Sequence, residues 1–108
     1  MSESSNSWSV YLIRTRANQL YTGVTTDVAR RFAQHQCSGR QAAKYLKGKG
    51  PLTLAYCCKV GNKQLAYRFE YHIKRWPKAL KESLVGSQLP LVQFYQLYLP
   101  SSHCFEQV

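Results

Sequence analysis

Four side chains able to do chemistry fall within residues 10–35, VYLIRTRANQLYTGVTTDVARRFAQH. Tyr11 and Tyr21 stand ten residues apart, Arg31 follows ten later, and His35 lies one helical turn beyond it. A phenol can take a proton only where nearby positive charge favours its phenolate, because its reference pKa is about 10. An arginine stays charged at any working pH and can place two hydrogen bonds on an anion such as a phosphate. An imidazole can bond a phenol or an anion, or can simply cap the edge of a core. Each residue also has a plainer reading, since tyrosines on strands are common cross-strand packers and helix arginines are often only solvated.

The bulk composition favours an anionic partner. Fifteen Lys and Arg against five acidic residues give a net charge of +10 and a pI near 9.7. That field attracts polyanions, and nucleic acid is the default polyanion. With 108 residues, 44% hydrophobic and 13% aromatic, the chain suffices for one folded domain with a core. No run of about 18 apolar residues is present to span a membrane, and residues 1–7 are polar, so a cytoplasmic location is expected. Cys37, Cys57, Cys58 and Cys104 lack zinc-ligand spacing and read as buried, reduced thiols.

The elements that must hold these residues follow from periodicity. SWSVYLI (7–13) alternates as a strand with both faces partly covered, RTRANQ is turn-like, and LYTGVT resumes the strand pattern. Tyr11 and Tyr21 then lie on neighbouring antiparallel strands. Thr25 or Thr26 can cap the next helix, which runs to about Cys37 and carries Arg31 and His35 on one edge. SGRQAAKYLKGKGP (38–51) reads as a basic loop with a helical turn near 41–46, and LTLAYCCKV (52–60) as a third strand. Asn62 caps a helix over 63–76 whose stripe is Leu65, Ala66, Phe69, Ile73 and Trp76. Glu70 borders that stripe and is the only acidic residue between Asp27 and Glu82. Pro77 opens another helix, ended by Gly86. From 87 to 108 no period is readable. The expected organisation is a disordered stretch at 1–6, a domain at 7–86 and a C-terminal extension at 87–108. Its order, ββαβαα, implies an α+β fold with a small, mostly antiparallel three-stranded sheet flanked by helices.

The triplets around the tyrosines (SVYL and YTG), Arg31 ten residues after the second tyrosine, and Glu70 in AYRFEYHIKRW together resemble the GIY-YIG nuclease family. The run YTGVTTDVARRFAQH is most similar to its small stand-alone bacterial, YhbQ-like, branch. The resemblance implies a divalent-metal-dependent endonuclease, with Mg2+ or Mn2+ as cofactor and DNA as substrate, RNA being a second candidate. It implies a role such as structure-selective cleavage in DNA repair or recombination. It makes Tyr11, Tyr21, Arg31, His35 and Glu70 the catalytic set and Glu70 the metal ligand. One carboxylate suffices for a hard cation when water and phosphate oxygens complete its shell. Tyr11 is the preferred base, with the reverse assignment to Tyr21 open. Glu70 without the motif reads as a helix-surface partner of Lys63, Arg68 or Lys74. Arg30, Arg40, Lys44, Tyr45, Lys47 and Lys49 are candidate nucleic-acid contacts, cations and a ring suited to backbone tracking and base stacking. Three positions depart from the family pattern: Ser9, Val10 and Thr22 replace the Gly, Ile and Ile of its name. The asparagine that many members carry a dozen or so residues after the glutamate is absent from LKESLVGS (80–87). A second reading is therefore a nucleic-acid-binding module of little or no activity that acts with a protein partner.

Overall fold

Trp8–Arg14 (β1), Leu20–Thr25 (β2) and Thr53–Gly61 (β3) form one antiparallel sheet in the order β2-β1-β3 in the computed structural model, which describes residues 7–37 and 39–99. The central strand is the one whose both faces are apolar: Val10, Tyr11, Leu12 and Ile13 are all buried. Val10 and Leu12 face helices Lys63–Lys74 (α2), Lys78–Ser87 (α3) and Leu91–Tyr98 (α4), which share one buried cluster with them. Tyr11 and Ile13 face the other way. They pack with Leu46 and Leu52 and with Val28 and Phe32 of helix Val28–Gln36 (α1). The fold is α+β in the expected order, with a 3-10 turn at Lys44–Leu46 and one helix more than the sequence revealed.

That extra helix is α4, in the segment without a readable period. Leu91, Phe94 and Tyr95 form an i, i+3, i+4 set that joins Phe69 and Leu84 in the core. The set is hard to read because Val92, Leu97 and Tyr98 are equally apolar but exposed. Two turns of helix give too few repeats for the period to stand out.

Several expectations need correction. Asp27, not Thr25 or Thr26, caps α1, accepting from the Arg30 N–H at 3.1 Å, while the Thr25 hydroxyl accepts from the Asp27 N–H. The Asp carboxylate suits the helix N-terminus better than a hydroxyl. Pro77 sits just before α3 rather than in its first position. Gly86 does not end that helix. Gln88 takes the left-handed position, φ 57°, and its side-chain amide donates to the Val85 and Ala55 carbonyls. Cys37, Cys57 and Cys58 are free, as expected, but Cys37 and Cys57 are exposed. Cys57 shares the Tyr11 face of the sheet but sits on β3, an edge strand. Cys104 and the stretch expected to be disordered, 1–6, lie outside the described residues. No helix among the described residues is long and apolar enough to cross a membrane.

Candidate active site

The β1–β2 register sets Tyr11 opposite Gly23 and Tyr21 opposite Ile13, so the two tyrosines are diagonal neighbours on one face. Their ring centroids are 6.5 Å apart. Tyr11 lies across β2 at Gly23 so closely that a Cβ at that position would collide with the phenol. Gly23 is thus part of the site, and the sequence reading missed it. The signal was available, because a glycine inside a strand often marks close approach by another group.

His35 is fully buried behind Tyr11. Its Nδ1 accepts from the Ala43 backbone N–H at 3.1 Å. The remaining proton must then sit on Nε2, which donates to the Tyr11 oxygen at 3.0 Å. Of the partners the sequence left open for this imidazole, the phenol is the one it contacts. Burial, with the Arg31 charge adding to it, lowers the His35 pKa to about 4, so the ring is neutral near pH 7. A neutral Nε2–H donor occupies one lone pair of Tyr11 and leaves the phenol's own hydrogen free to point elsewhere.

Arg31 is anchored on its Nη1, which donates to Gln34 Oε1 and to the Gln41 carbonyl, both at 2.7 Å. Its charge acts on both Tyr11 and His35. Burial pushes the Tyr11 phenol up to about 12, Tyr21 and Glu70 add to the rise, and Arg31 opposes it. Glu70 therefore lies within electrostatic reach of the phenol, although its helix covers the opposite face of the sheet. One turn further along the same helix is Lys74, with which Glu70 pairs at 3.3 Å. The Lys74 ammonium in turn lies 6.0 Å from the Tyr21 ring centroid.

A cleft of about 360 Å3 opens at the β2 edge of the sheet, lined by Leu20, Tyr21, Thr22, Tyr45, Lys74 and Lys81. Tyr45 stacks on Tyr21 with centroids 5.6 Å apart, and the Lys49 ammonium sits 4.3 Å from the Tyr45 ring. Lys44 and Lys47 flank the same turn, exposed. The loop is held to α1 at three points. Besides the Arg31 and His35 bonds, Gln36 bonds both the N–H and the carbonyl of Leu52. Arg30 and Arg40 are not in the tyrosine cleft; they line a separate depression of about 380 Å3 on the outer side of α1 with Ala33, Gln34, Cys37, Gly39 and Gln41. Lys74 and Lys81 were not singled out as contacts from the sequence, since nothing there places α2 and α3 beside Tyr21.

Among the described residues no group of three His, Cys, Asp or Glu side chains is placed to hold a metal ion. Zinc, which takes a cage of side-chain ligands, does not fit. A single carboxylate at the rim of an open cleft does fit a hard, largely hydrated cation.

The sequence model of the GIY-YIG catalytic domain matches residues 7–83, which include every residue of the tyrosine cleft. The chain belongs to the GIY-YIG family. At family level this domain is an endonuclease-type hydrolase that acts on DNA with a divalent metal ion. The chain is 57% identical over 81 residues to the UPF0213 protein YhbQ of Salmonella arizonae, covering 75% of this chain and 79% of that protein. It is 62% identical over 78 residues to a UPF0213 protein of Citrobacter koseri, covering 72% and 76%. The solution structure of the UPF0213 protein BH0048 from Bacillus halodurans is similar to this GIY-YIG domain, with a TM-score of 0.50, 35% identity and coverage of 76% and 85%.

Proposed function

We propose that this GIY-YIG domain is a metal-dependent DNA endonuclease in which Tyr11 is the base, Arg31 binds the phosphate and Glu70 holds the cation. The observation that carries the reading is the bonded chain from the Ala43 N–H through neutral His35 to the Tyr11 oxygen, with Arg31 and Glu70 acting on the same phenol. Tyr11 takes the proton of the attacking water. It does so as the phenolate, whose charge the His35 Nε2–H and the Arg31 guanidinium stabilise before the transfer makes it a neutral phenol, and His35 acts through Tyr11 rather than on substrate. Arg31 neutralises charge on the non-bridging phosphate oxygens as the pentacoordinate state forms. Tyr21, half-buried at the mouth of the cleft, orients the water or the phosphate. Glu70 would hold the divalent ion, whose positive charge would offset the carboxylate's effect on Tyr11 and polarise the phosphate. Lys44, Tyr45, Lys47 and Lys49 guide the strand to the cleft, and Arg30 and Arg40 meet its flanks. With relatives in bacteria, the substrate is cytoplasmic DNA, and a structure-selective task in repair or recombination is the form this activity takes.

Incubation with branched, flapped, single-stranded and duplex DNA plus Mg2+ or Mn2+ tests it. Tyr11→Phe, Arg31→Ala and Glu70→Gln should each lower cleavage about 100-fold or more, the scale of losing a proton acceptor or a charge stabiliser. Cleavage by all three at the wild-type rate would end the proposal. Two observations favour the second reading, a binding module of little activity: the high proton affinity of Tyr11 and the missing asparagine after Glu70. That reading predicts salt-sensitive binding with no cleavage of any DNA in the panel.

A further inference from the structure

Lys63, Tyr67, Tyr71 and Arg75 recur at every fourth position, which sets them in a row along the outer face of α2 and its C-terminal cap. The row is about 18 Å long at the rise of an α-helix. Tyr67 is 45% exposed and Tyr71 56%, a large apolar outlay on a surface helix. Each ring has a cation beside it. The Lys63 ammonium lies 5.9 Å from the Tyr67 ring centroid and 5.6 Å from that of Trp8, and the Arg75 guanidinium lies 4.4 Å from the Tyr71 ring. Trp8 in turn packs against Tyr67 with centroids 5.5 Å apart, which props that ring outward. The only acidic residue on α2 is Glu70, which is paired with Lys74 on the side toward the cleft.

We propose that this face of α2 is a binding rail for an unpaired nucleic-acid strand running to or from the cleft, with bases stacked on Tyr67 and Tyr71 and phosphates on Lys63 and Arg75. The inference rests on the nucleic-acid reading of the cleft. Charge complementarity names the occupant: the row is cationic and aromatic with no acidic group in it, on a chain of net charge +10. Strands are bound without sequence preference by this combination of stacking rings and cations. A duplex hides its base faces and has no use for exposed rings. The rail is also continuous with the cleft, because Lys74, on the same helix, lines both its edge and the pocket beside Tyr21. Its length takes no more than about five nucleotides at a stacked spacing of ~3.4 Å.

Fluorescence anisotropy tests the rail on the full chain in EDTA, where cleavage cannot intervene, with a labelled 12-nucleotide oligothymidylate and the corresponding duplex as probes. Tyr67→Ala and Tyr71→Ala should each weaken single-strand binding at least about fivefold, the low end of stacking contributions, and change duplex binding less than twofold. Tyr71→Phe should bind as wild type, and Tyr71→Leu should bind as poorly as the alanine variant. Lys63→Gln and Arg75→Gln should each flatten the dependence of log Kd on log salt by about 0.7. Circular dichroism melts show whether Tyr67→Ala, which loses its Trp8 contact, is folded; Tyr71→Ala carries the test if it is not. The proposal is overturned if Tyr71→Ala binds the single strand within twofold of wild type, if Tyr71→Leu binds as wild type, or if sedimentation shows a wild-type dimer that Tyr71→Ala dissolves. Cleavage with Mg2+ is scored separately. Strand binding lost in the variants with no DNA cut by wild type upholds the rail and sinks the nuclease; cleavage by wild type with binding unchanged in the variants does the reverse.

Discussion

Gly23→Ala should silence the site while leaving the fold standing. The three nearest atoms that a Cβ at Gly23 would meet belong to the far end of Tyr11: its hydroxyl, Cζ and one Cε. The phenol must swing away, because the opposing atoms on the other side are strand backbone. Moving it breaks the bond from His35 Nε2 and leaves a fully buried N–H without a partner, which costs about 1–3 kcal/mol. Forced repacking adds about 1–3 kcal/mol, and alanine's advantage over glycine in a strand returns about 0.5–1 kcal/mol. The net loss is about 1–5 kcal/mol, which a domain of ordinary stability, about 5–15 kcal/mol, survives over most of that range. Cleavage should fall at least about 100-fold, the scale for misplacing a reacting group by ~1 Å. Thermal melts and a cleavage assay on the same preparations read both effects. A double-mutant cycle with Tyr11→Leu isolates the cause, since leucine lacks the three clashing atoms. In that background Gly23→Ala should become neutral or stabilising. Gly23→Ala in wild type with unchanged melting and cleavage would refute the placement of Tyr11 across β2.

Three further outcomes follow from the same geometry. His35 has a folded pKa of about 4 against 6.5 unfolded, so the unfolded chain takes up the proton first as pH falls. Stability present above pH 6.5 should decline between 6.5 and 4 by up to about 3 kcal/mol, and His35→Gln should melt with a flatter pH dependence in that window. Arg14 grips Glu82 with two bonds of 2.7 and 2.8 Å and, with Lys78, holds its carboxyl down at about 2. The contribution is present above about pH 4.5 and is lost as pH falls toward 2; screening at this half-exposed pair limits the loss in Glu82→Gln at pH 7 to about 1 kcal/mol, read by urea unfolding. Lys81→Gln, in the cleft wall, should weaken DNA binding and lower the salt slope by about one phosphate, measured by titrating binding at several salt concentrations.

The part of the site that was legible in the sequence is the part written in periods. Alternation in residues 8–14 and 20–25 put both tyrosines on paired strands, and the helical stripe through Ala66, Phe69 and Ile73 put Glu70 at a border. What escaped was set by partners remote in the chain. The tautomer of His35 depends on the Ala43 N–H, a backbone group that no residue type advertises. Gly23 looks like a weak spot in a strand until Tyr11 is seen lying over it. Lys74 and Lys81 become neighbours of Tyr21 only once α2 and α3 are docked. In α4 and at Gln88 the local rules pointed elsewhere, and core burial and a side-chain amide decided.

The position of β2 at the sheet edge is what lets one strand serve both sides of the site. Tyr21 and Gly23 face α1, where Gly23 makes room for Tyr11; Leu20 and Thr22 face the α2 side and line the cleft with Lys74 and Lys81. Were β2 central, a further strand would stand between Glu70 and the phenols, and a carboxylate from the opposite layer could not act on Tyr11. Because side chains alternate strictly, one register fixes both sets at once, and a slip of one residue would exchange them. The charges then fall into a sequence across the edge. Arg31 favours the Tyr11 phenolate from one side and Glu70 opposes it from the other. Burial weighs most at that oxygen, ahead of Tyr21 and Arg31, and Glu70 weighs least, so the proton affinity of the proposed base is set first by how deeply the phenol is packed.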